Sequence, residues 1–303
     1  WKIIADNVQG NYLLWKVNNV STYLARVRVS SLAADNQVVV SNSFTISMIE
    51  KGAILKQTGV NVIPYGIAYD GSDGLWVTSF GSKELLKLNS ENFSMEKVII
   101  IDSDIDSLFT DITVNRNNGL LYFHRMNSTG GGGGYIFVYD TNGTKIKQYK
   151  SPAPIYPIGI EFVDGNLIVG DRDGERMLKI TNPETGEVLS EYKNPYQKTY
   201  GPRGLCYDGQ QYLYQVCTFF PGGGSLTEAV AIKFDKNDMS NEIDRMLLQS
   251  NDGMINARGI EFDPRDNNFW VTDYNGNIYK VAGFAPIVSV ENNFKLSNNE
   301  IIN

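Results

Sequence analysis

The chain has 303 residues, with 27 lysines and arginines against 34 aspartates and glutamates, a formal charge of −7, one histidine and two cysteines. An apolar fraction of 42% excludes wholesale disorder, and the acidic balance excludes a basic nucleic-acid footprint. No apolar run approaches the roughly 18 residues of a membrane-spanning helix, and no charged-then-apolar leader precedes the chain, so it is expected to begin after any signal peptide.

Residues 1–46 carry strand signals at Trp1–Ile4, Tyr12–Val17, Tyr23–Val29 and Gln37–Ile46, with period-two alternation in Ala25-Arg-Val-Arg-Val29. They are too few for an independent sandwich, which needs about 100 residues. Further on, a different pattern begins. A small residue, an aliphatic, any residue, an aromatic or aliphatic and then a turn recur as Gly66-Ile-Ala-Tyr-Asp70, Asp111-Ile-Thr-Val-Asn115, Gly159-Ile-Glu-Phe162, Gly204-Leu-Cys-Tyr-Asp208 and Gly259-Ile-Glu-Phe-Asp263. The anchors lie 45, 48, 45 and 55 residues apart. Each is followed by hairpin chemistry, such as Asp70-Gly71 or Asp164-Gly165. A second strand (Leu75–Ser79 in the first unit) and a third (Leu85–Leu88) come next, and a fourth closes four of the units, as at Lys145–Tyr149.

Four antiparallel strands repeated at this period predict an all-β fold, a five-bladed β-propeller. The fifth unit lacks a fourth strand after Val281, whereas Ala53-Ile-Leu-Lys-Gln57 precedes the first anchor as an orphan strand. Pairing the two closes the ring and removes its edges. The expected domains are 1–46, a partial β-sandwich segment; 47–283, the propeller; and 284–303, an extended linker toward a further C-terminal domain. A six-bladed ring is the alternative, but the long 204–259 interval exceeds the others by only about ten residues, too few for a blade.

Cys206 and Cys217 fall on two strands of one hairpin. The turn at Asp208–Gln211 sets Cys206 opposite about residue 213 and Cys217 opposite about residue 202, out of register for a disulfide. They are expected to be small buried hydrophobes, and with one histidine they do not complete a zinc site.

In a propeller, the loops joining strand four to strand one and strand two to strand three share one face around the axial channel, the default ligand face. The residues just before the anchors are Tyr65, Thr110, Ile158, Arg203 and Arg258, and those ending the second strands are Ser79, Arg125, Asp171, Cys217 and Asp273. Of this ring, Tyr65, Ser79, Arg125, Asp171, Arg203, Arg258 and Asp273 are the candidate ligand-binding residues, the arginines suiting a carboxylate, a phosphate or a sugar acid. The competing expectation is that Asp171 pairs with Arg203 and Asp273 with Arg258, with no ligand needed. No catalytic residue is assigned. His124 precedes a ring position by one residue, so on an alternating strand it points away from Arg125 and packs. Glu161 and Glu261 occupy equivalent first-strand positions and, with Asp171 and Asp273, form an alternative metal set, although only two of five blades supply a glutamate. No cofactor is expected. A structural Ca2+ at Asp102, Asp104 and Asp106 is the one exception considered, against a solvated acidic loop, because Ser107 and Thr113 stand where a calcium loop has Gly and Glu. Gly130–Gly134 and Pro221–Ser225 are expected to be hairpin tips, since no Lys-Ser/Thr and no helix follows them.

Over residues 53–283 the anchors Gly-Ile-x-Tyr/Phe-Asp and the strand Leu75-Trp-Val-Thr78 resemble the NHL, streptogramin-lyase-like and SMP-30-like propeller families. The resemblance implies a propeller scaffold that serves secreted binding modules and metal-dependent lyases or lactonases, and scaffold residues do not carry chemistry across. Trp1, Trp15-Lys-Val17, Arg26-Val-Arg-Val29 and Ser41-Asn-Ser-Phe-Thr-Ile46 resemble the second half of an Ig-like module of large secreted bacterial proteins, which implies that the chain starts mid-domain. Pro286–Asn299 resembles the lead-in to the sorting domains of type IX secretion substrates, without their Pro-Asn-Pro-Phe motif. The resulting expectation is a non-enzymatic segment of a large, secreted, bacterial cell-surface protein. Its propeller would contact protein or glycan, or other copies of itself in a surface layer or fibre. A metal-dependent lyase or lactonase is the runner-up.

Overall fold

The computed structural model describes residues 3, 22–30, 38–41, 44–101, 108–126, 134–153, 156–172, 177–194, 201–220, 224–251, 253–284 and 287–291. The chain divides into two compact units, Trp1–Glu50 with Pro286–Asn303, and Lys51–Ala285.

The second unit is a five-bladed propeller built wholly from strands. Blade 1 comprises Ile63–Tyr69, Gly74–Phe80, Glu84–Asn89 and Met95–Ile100. Blade 2 comprises Phe109–Asn115, Leu120–Arg125, Tyr135–Tyr139 and Lys145–Lys150, and blade 3 Pro157–Val163, Asn166–Asp171, Met177–Thr181 and Val188–Lys193. Blade 4 comprises Gly201–Tyr207, Tyr212–Phe219, Glu228–Asp235 and Asp244–Leu247. Blade 5 takes three strands from Ala257–Asp263, Asn268–Asp273 and Asn277–Val281, and its fourth from Ile54–Gly59 at the other end of the unit. Tyr279 stands opposite Gln57 in that pairing, so the first and last segments lock the ring shut as the orphan strand implied. Among the described residues, the long interval before blade 5 adds to blade 4 only a short pairing of Gln249–Ser250 with Gly253–Met254, and no sixth blade.

The blades cohere because each presents apolar side chains on both faces. The core runs between neighbours, as where Trp76 and Ala68 of blade 1 meet Phe109, Phe123 and Phe137 of blade 2. The inner strand of every blade breaks register at its anchor, for instance between Pro64 and Ile67 and between Ala257 and Ile260. Threonines of the second strand absorb the break. Gly66 N–H donates to Thr78 Oγ1 at 2.7 Å and Gly259 N–H to Thr272 Oγ1 at 2.8 Å, while the two hydroxyls donate to the carbonyls of Thr110 and Tyr65 on the next blade. The Trp-Val-Thr strands are therefore blade-to-blade pins.

Four glycines and one aspartate occupy the anchor position. A methyl group on Gly66 would lie 2.6 Å from Asp111 Cα, and one on Gly204 would lie 2.7 Å from Gly259 Cα, so the inner strands approach too closely for a side chain there. Asp111 uses the space the glycines leave. Its Oδ2 accepts from Ile160 N–H of blade 3 and Leu205 N–H of blade 4, each at 3.0 Å. The carboxyl bridges three blades and closes the axis at this level.

The first unit holds a three-stranded sheet of Thr22–Ala25, Phe44–Ile49 and Ile287–Glu291, with a hairpin of Arg28–Ser30 and Val38–Val40. The expected linker 284–303 is corrected over its start: Val290 pairs with Ile46 and Ser289 with Ser47, because an alternating Ile-Val-Ser-Val run satisfies its backbone best in a sheet. The Trp1 and Trp15–Val17 signals, the Asp102–Asp106 calcium candidate and residues 292–303 lie outside the described residues.

Candidate functional site

Five inner strands run from the face carrying the strand two to three turns, called upper here, to the face carrying the strand one to two turns, called lower. Side chains just before the anchors gather at the upper mouth, and those two residues past them, roughly 7 Å further along the strand, gather below.

At the upper mouth Arg258 is the central group. It is 7% exposed, and its guanidinium lies between two rings, 4.8 Å from the centroid of Tyr274 and 5.6 Å from that of Tyr65. Nη1 donates to Asn256 Oδ1 at 2.7 Å, to Ala257 O at 3.0 Å and to Asn256 O at 3.4 Å. Among the described residues, Nε and Nη2 donate no hydrogen bond, and Nε is buried. That free edge is the fork by which a guanidinium grips an oxyanion. Burial, with the neighbouring cations Arg203 and Arg172, pushes the Arg258 pKa down to about 10, so it keeps its charge at neutral pH. Arg203, buried, donates from Nε to Thr218 Oγ1 at 3.2 Å, and Arg172 stacks 4.1 Å over Tyr156. Arg125 ends the second strand of blade 2, half-buried.

Several other residues of the expected ring are engaged within their own blades. Asp273 does not pair with Arg258. Its Oδ1 accepts from the N–H groups of Asn275 at 2.9 Å and Asn277 at 3.0 Å, which fixes its own hairpin turn, and Tyr279 OH reaches its Oδ2 at 3.3 Å. Asp171 Oδ1 accepts from Tyr156 N–H at 2.9 Å, holding the incoming loop of the same blade. Ser79 is fully buried and meets Ser82 Oγ at 2.6 Å, because the second strand of blade 1 runs on to Phe80. Cys217 is likewise interior, and Thr110 Oγ1 is spent on Pro157 O of blade 3 at 2.8 Å. The side chains the ring missed are Phe80, Arg172 and Tyr274. Each stands one residue beyond the position chosen, a step the final turn residue of each second strand signals. Both cysteines are free and buried; Cys217 faces Pro202 as expected and Cys206 faces Tyr214, one residue from expectation.

Below the Asp111 plug lies a different cluster. The residues two past the anchors are Ala68, Thr113, Glu161, Cys206 and Glu261, all buried. Arg116, on the turn after the first strand of blade 2, reaches in and donates from Nη2 to Glu261 Oε1 at 2.8 Å. Burial, then repulsion from Glu261, raises the Glu161 carboxyl well above the ordinary range, and its Oε2 has no hydrogen-bond partner among the described residues. Burial raises Glu261 also, with Arg116 opposing. Asp111 is raised by burial although Leu205 and Ile160 N–H groups oppose it. The four alternative metal ligands are thus split. Glu161 stands opposite Ile168 and Asp171 opposite Pro157, as Glu261 stands opposite Trp270 and Asp273 opposite Ala257, so the two pairs sit at different levels, roughly 10 Å apart along the strands. Among the described residues no group of three His, Cys, Asp or Glu side chains is placed to hold a metal. His124 is fully buried beside Ser151 Oγ at 3.2 Å and pushed down to about 3 by burial, a neutral packing residue as expected.

No family model matches the sequence, and no curated protein matches it. Solved structures do. The glutaminyl cyclase of Myxococcus xanthus superposes with a TM-score of 0.58 over 79% of this chain and 97% of that one, at 12% identity. A luciferin-regenerating enzyme superposes at 0.52 over 80% of this chain and 97% of that one, also at 12% identity. At such identity the likeness is one of fold.

Proposed function

We propose that the propeller is a binding module whose upper mouth captures an oxyanion, a carboxylate, sulfate or phosphate carried on a larger ligand. The observation that supports this reading is the Nε–Nη2 edge of Arg258, which donates no hydrogen bond among the described residues, on a buried cation crowded by two further arginines and flanked, among those residues, by rings rather than by a carboxylate. Arginine cannot shed its charge as a carboxyl can, so a buried guanidinium with unused donors gains from a bound anion. Binding alone accounts for this chemistry. The lyase or lactonase alternative requires Glu161, Asp171, Glu261 and Asp273 at one ion, and two of these are engaged elsewhere, Glu261 by Arg116 and Asp273 by its turn. We place the module in a secreted bacterial surface protein, on the resemblance of its sequence to modules of such proteins.

Calorimetric titration of the full chain with sodium sulfate and sodium acetate tests the reading. A dissociation constant of about 1 mM is expected for the bare anions, weakened at least about tenfold in Arg258→Gln. Equal binding in the variant, or none in the parent, overturns it.

A further inference from the structure

We infer that the ligand of the upper mouth is an acidic saccharide, a pyranose carrying its carboxylate or sulfate directly on the ring. This rests on the oxyanion reading above and adds to it what the other half of the mouth contributes.

That half is aromatic. Tyr65 stacks on Phe80 with centroids 5.0 Å apart, and Phe80 meets Tyr274 at 6.2 Å and a tilt of 56°. Tyr274 is 39% exposed although it follows a wholly buried strand. Its ring contacts the guanidinium of Arg258 at 4.8 Å, so an exposed aromatic face and an anion fork stand side by side. A ligand satisfying both must hold an anion and a flat face within a bond or two of each other.

The tilt chooses among such ligands. An aromatic acid gains most from a parallel slot, and Phe80 and Tyr274, packed on each other at 56°, offer none. A pyranose suits the single exposed ring of Tyr274, because its C–H bonds, polarised by neighbouring oxygens, rest against the negative face of one ring at a time. The neutral groups on the same turns fit hydroxyls. Ser82 Oγ donates to Ser79 Oγ at 2.6 Å or Glu84 Oε2 at 3.0 Å beside Phe80, Asn275 follows Tyr274, and Asn256 precedes Arg258 while its carbonyl receives Tyr274 N–H at 3.0 Å. Bare inorganic anions would use the arginines and leave the rings idle.

The experiment compares four probes on the full chain by calorimetry: galacturonate trimer, the neutral galactose trimer, sodium acetate and sodium benzoate. The trimer of uronate is expected to bind at least about tenfold more tightly than acetate and than the neutral trimer. Tyr274→Ala is expected to lower uronate affinity at least about fivefold more than it lowers acetate affinity. Arg258→Gln is expected to lose both. If acetate binds but uronate binds no better, or if benzoate binds better than uronate, the saccharide assignment is overturned and the oxyanion reading stands. If no anion binds, both fall.

Discussion

The two ends of the propeller channel carry opposite charge and solve the problem of burying it in opposite ways. Below the Asp111 plug, two buried carboxyls, Glu161 and Glu261, face one arginine. Arg116 holds Glu261 at 2.8 Å, and burial raises both carboxyls, so Glu161, whose Oε2 has no hydrogen-bond partner among the described residues, is pushed toward its neutral form. Above the plug, Arg258 has burial and two cations pressing on it and still titrates only near 10. It has no neutral form at physiological pH. The difference teaches that an orphaned buried carboxyl is a weak sign of a ligand, while an orphaned buried guanidinium is a strong one.

The comparison can be broken at several points. The largest effect is expected at the plug itself. Asp111→Ala leaves the N–H groups of Ile160 and Leu205 without an acceptor and should lower stability by about 3 kcal/mol, whereas Asp111→Asn keeps the acceptor and should cost less than about 1 kcal/mol. Urea denaturation midpoints check this, and equal losses would show that the bridge is not what closes the axis.

The lower cluster should make stability depend on pH. Glu161 and Glu261 have folded-state pKa values above the unfolded value of about 4.3. The folded chain therefore binds more protons than the unfolded chain in the window between, and stability is full below about pH 4 and falls as pH rises toward about 8, where Glu261 titrates. The slope attributable to one such proton is at most about 1.4 kcal/mol per pH unit. Glu161→Gln should flatten it, as thermal midpoints measured from pH 5 to 9 would reveal.

At the upper mouth, Arg258→Gln should leave stability within about 1 kcal/mol, since removing a crowded buried cation offsets the lost contacts. The same change should abolish anion binding. A collapse of stability with anion binding retained would make Arg258 a structural residue. The smallest effect is expected at Asp273→Ala, which deletes the acceptor of one hairpin turn and should cost about 1 kcal/mol without altering anion affinity.

The blade repeat was legible because period, turn residues and strand order all pointed to one architecture, and the orphan strand at 53–57 disclosed the closure of the ring. Asp111 was visible as the one anchor that is not glycine, but a register position does not reveal that one carboxyl spans two further blades. The site was half legible. Arg203 and Arg258 were placed at the mouth by counting back from the anchors. Ser79 and Cys217 were misplaced because both faces of a blade are buried, so a second-strand residue reaches the mouth only where the strand has ended, at Phe80 and Tyr274. Asp273 belonged to its turn because Asp-Tyr-Asn-Gly-Asn offers a carboxylate two backbone N–H groups close at hand. Arg116 sits on a turn with no motif around it, and only the fold carries it to Glu261.

The central claim is that the free edge of Arg258 is an anion fork, and its own Nε–H proton reports on that most directly. In an NMR titration of the full chain with galacturonate trimer, the Arg258 Nε–H resonance, assigned by its loss in Arg258→Gln, should move downfield and saturate with the calorimetric dissociation constant. A resonance that stays in place while ligand binds elsewhere, or that moves no more than those of exposed arginines such as Arg245, would contradict the account.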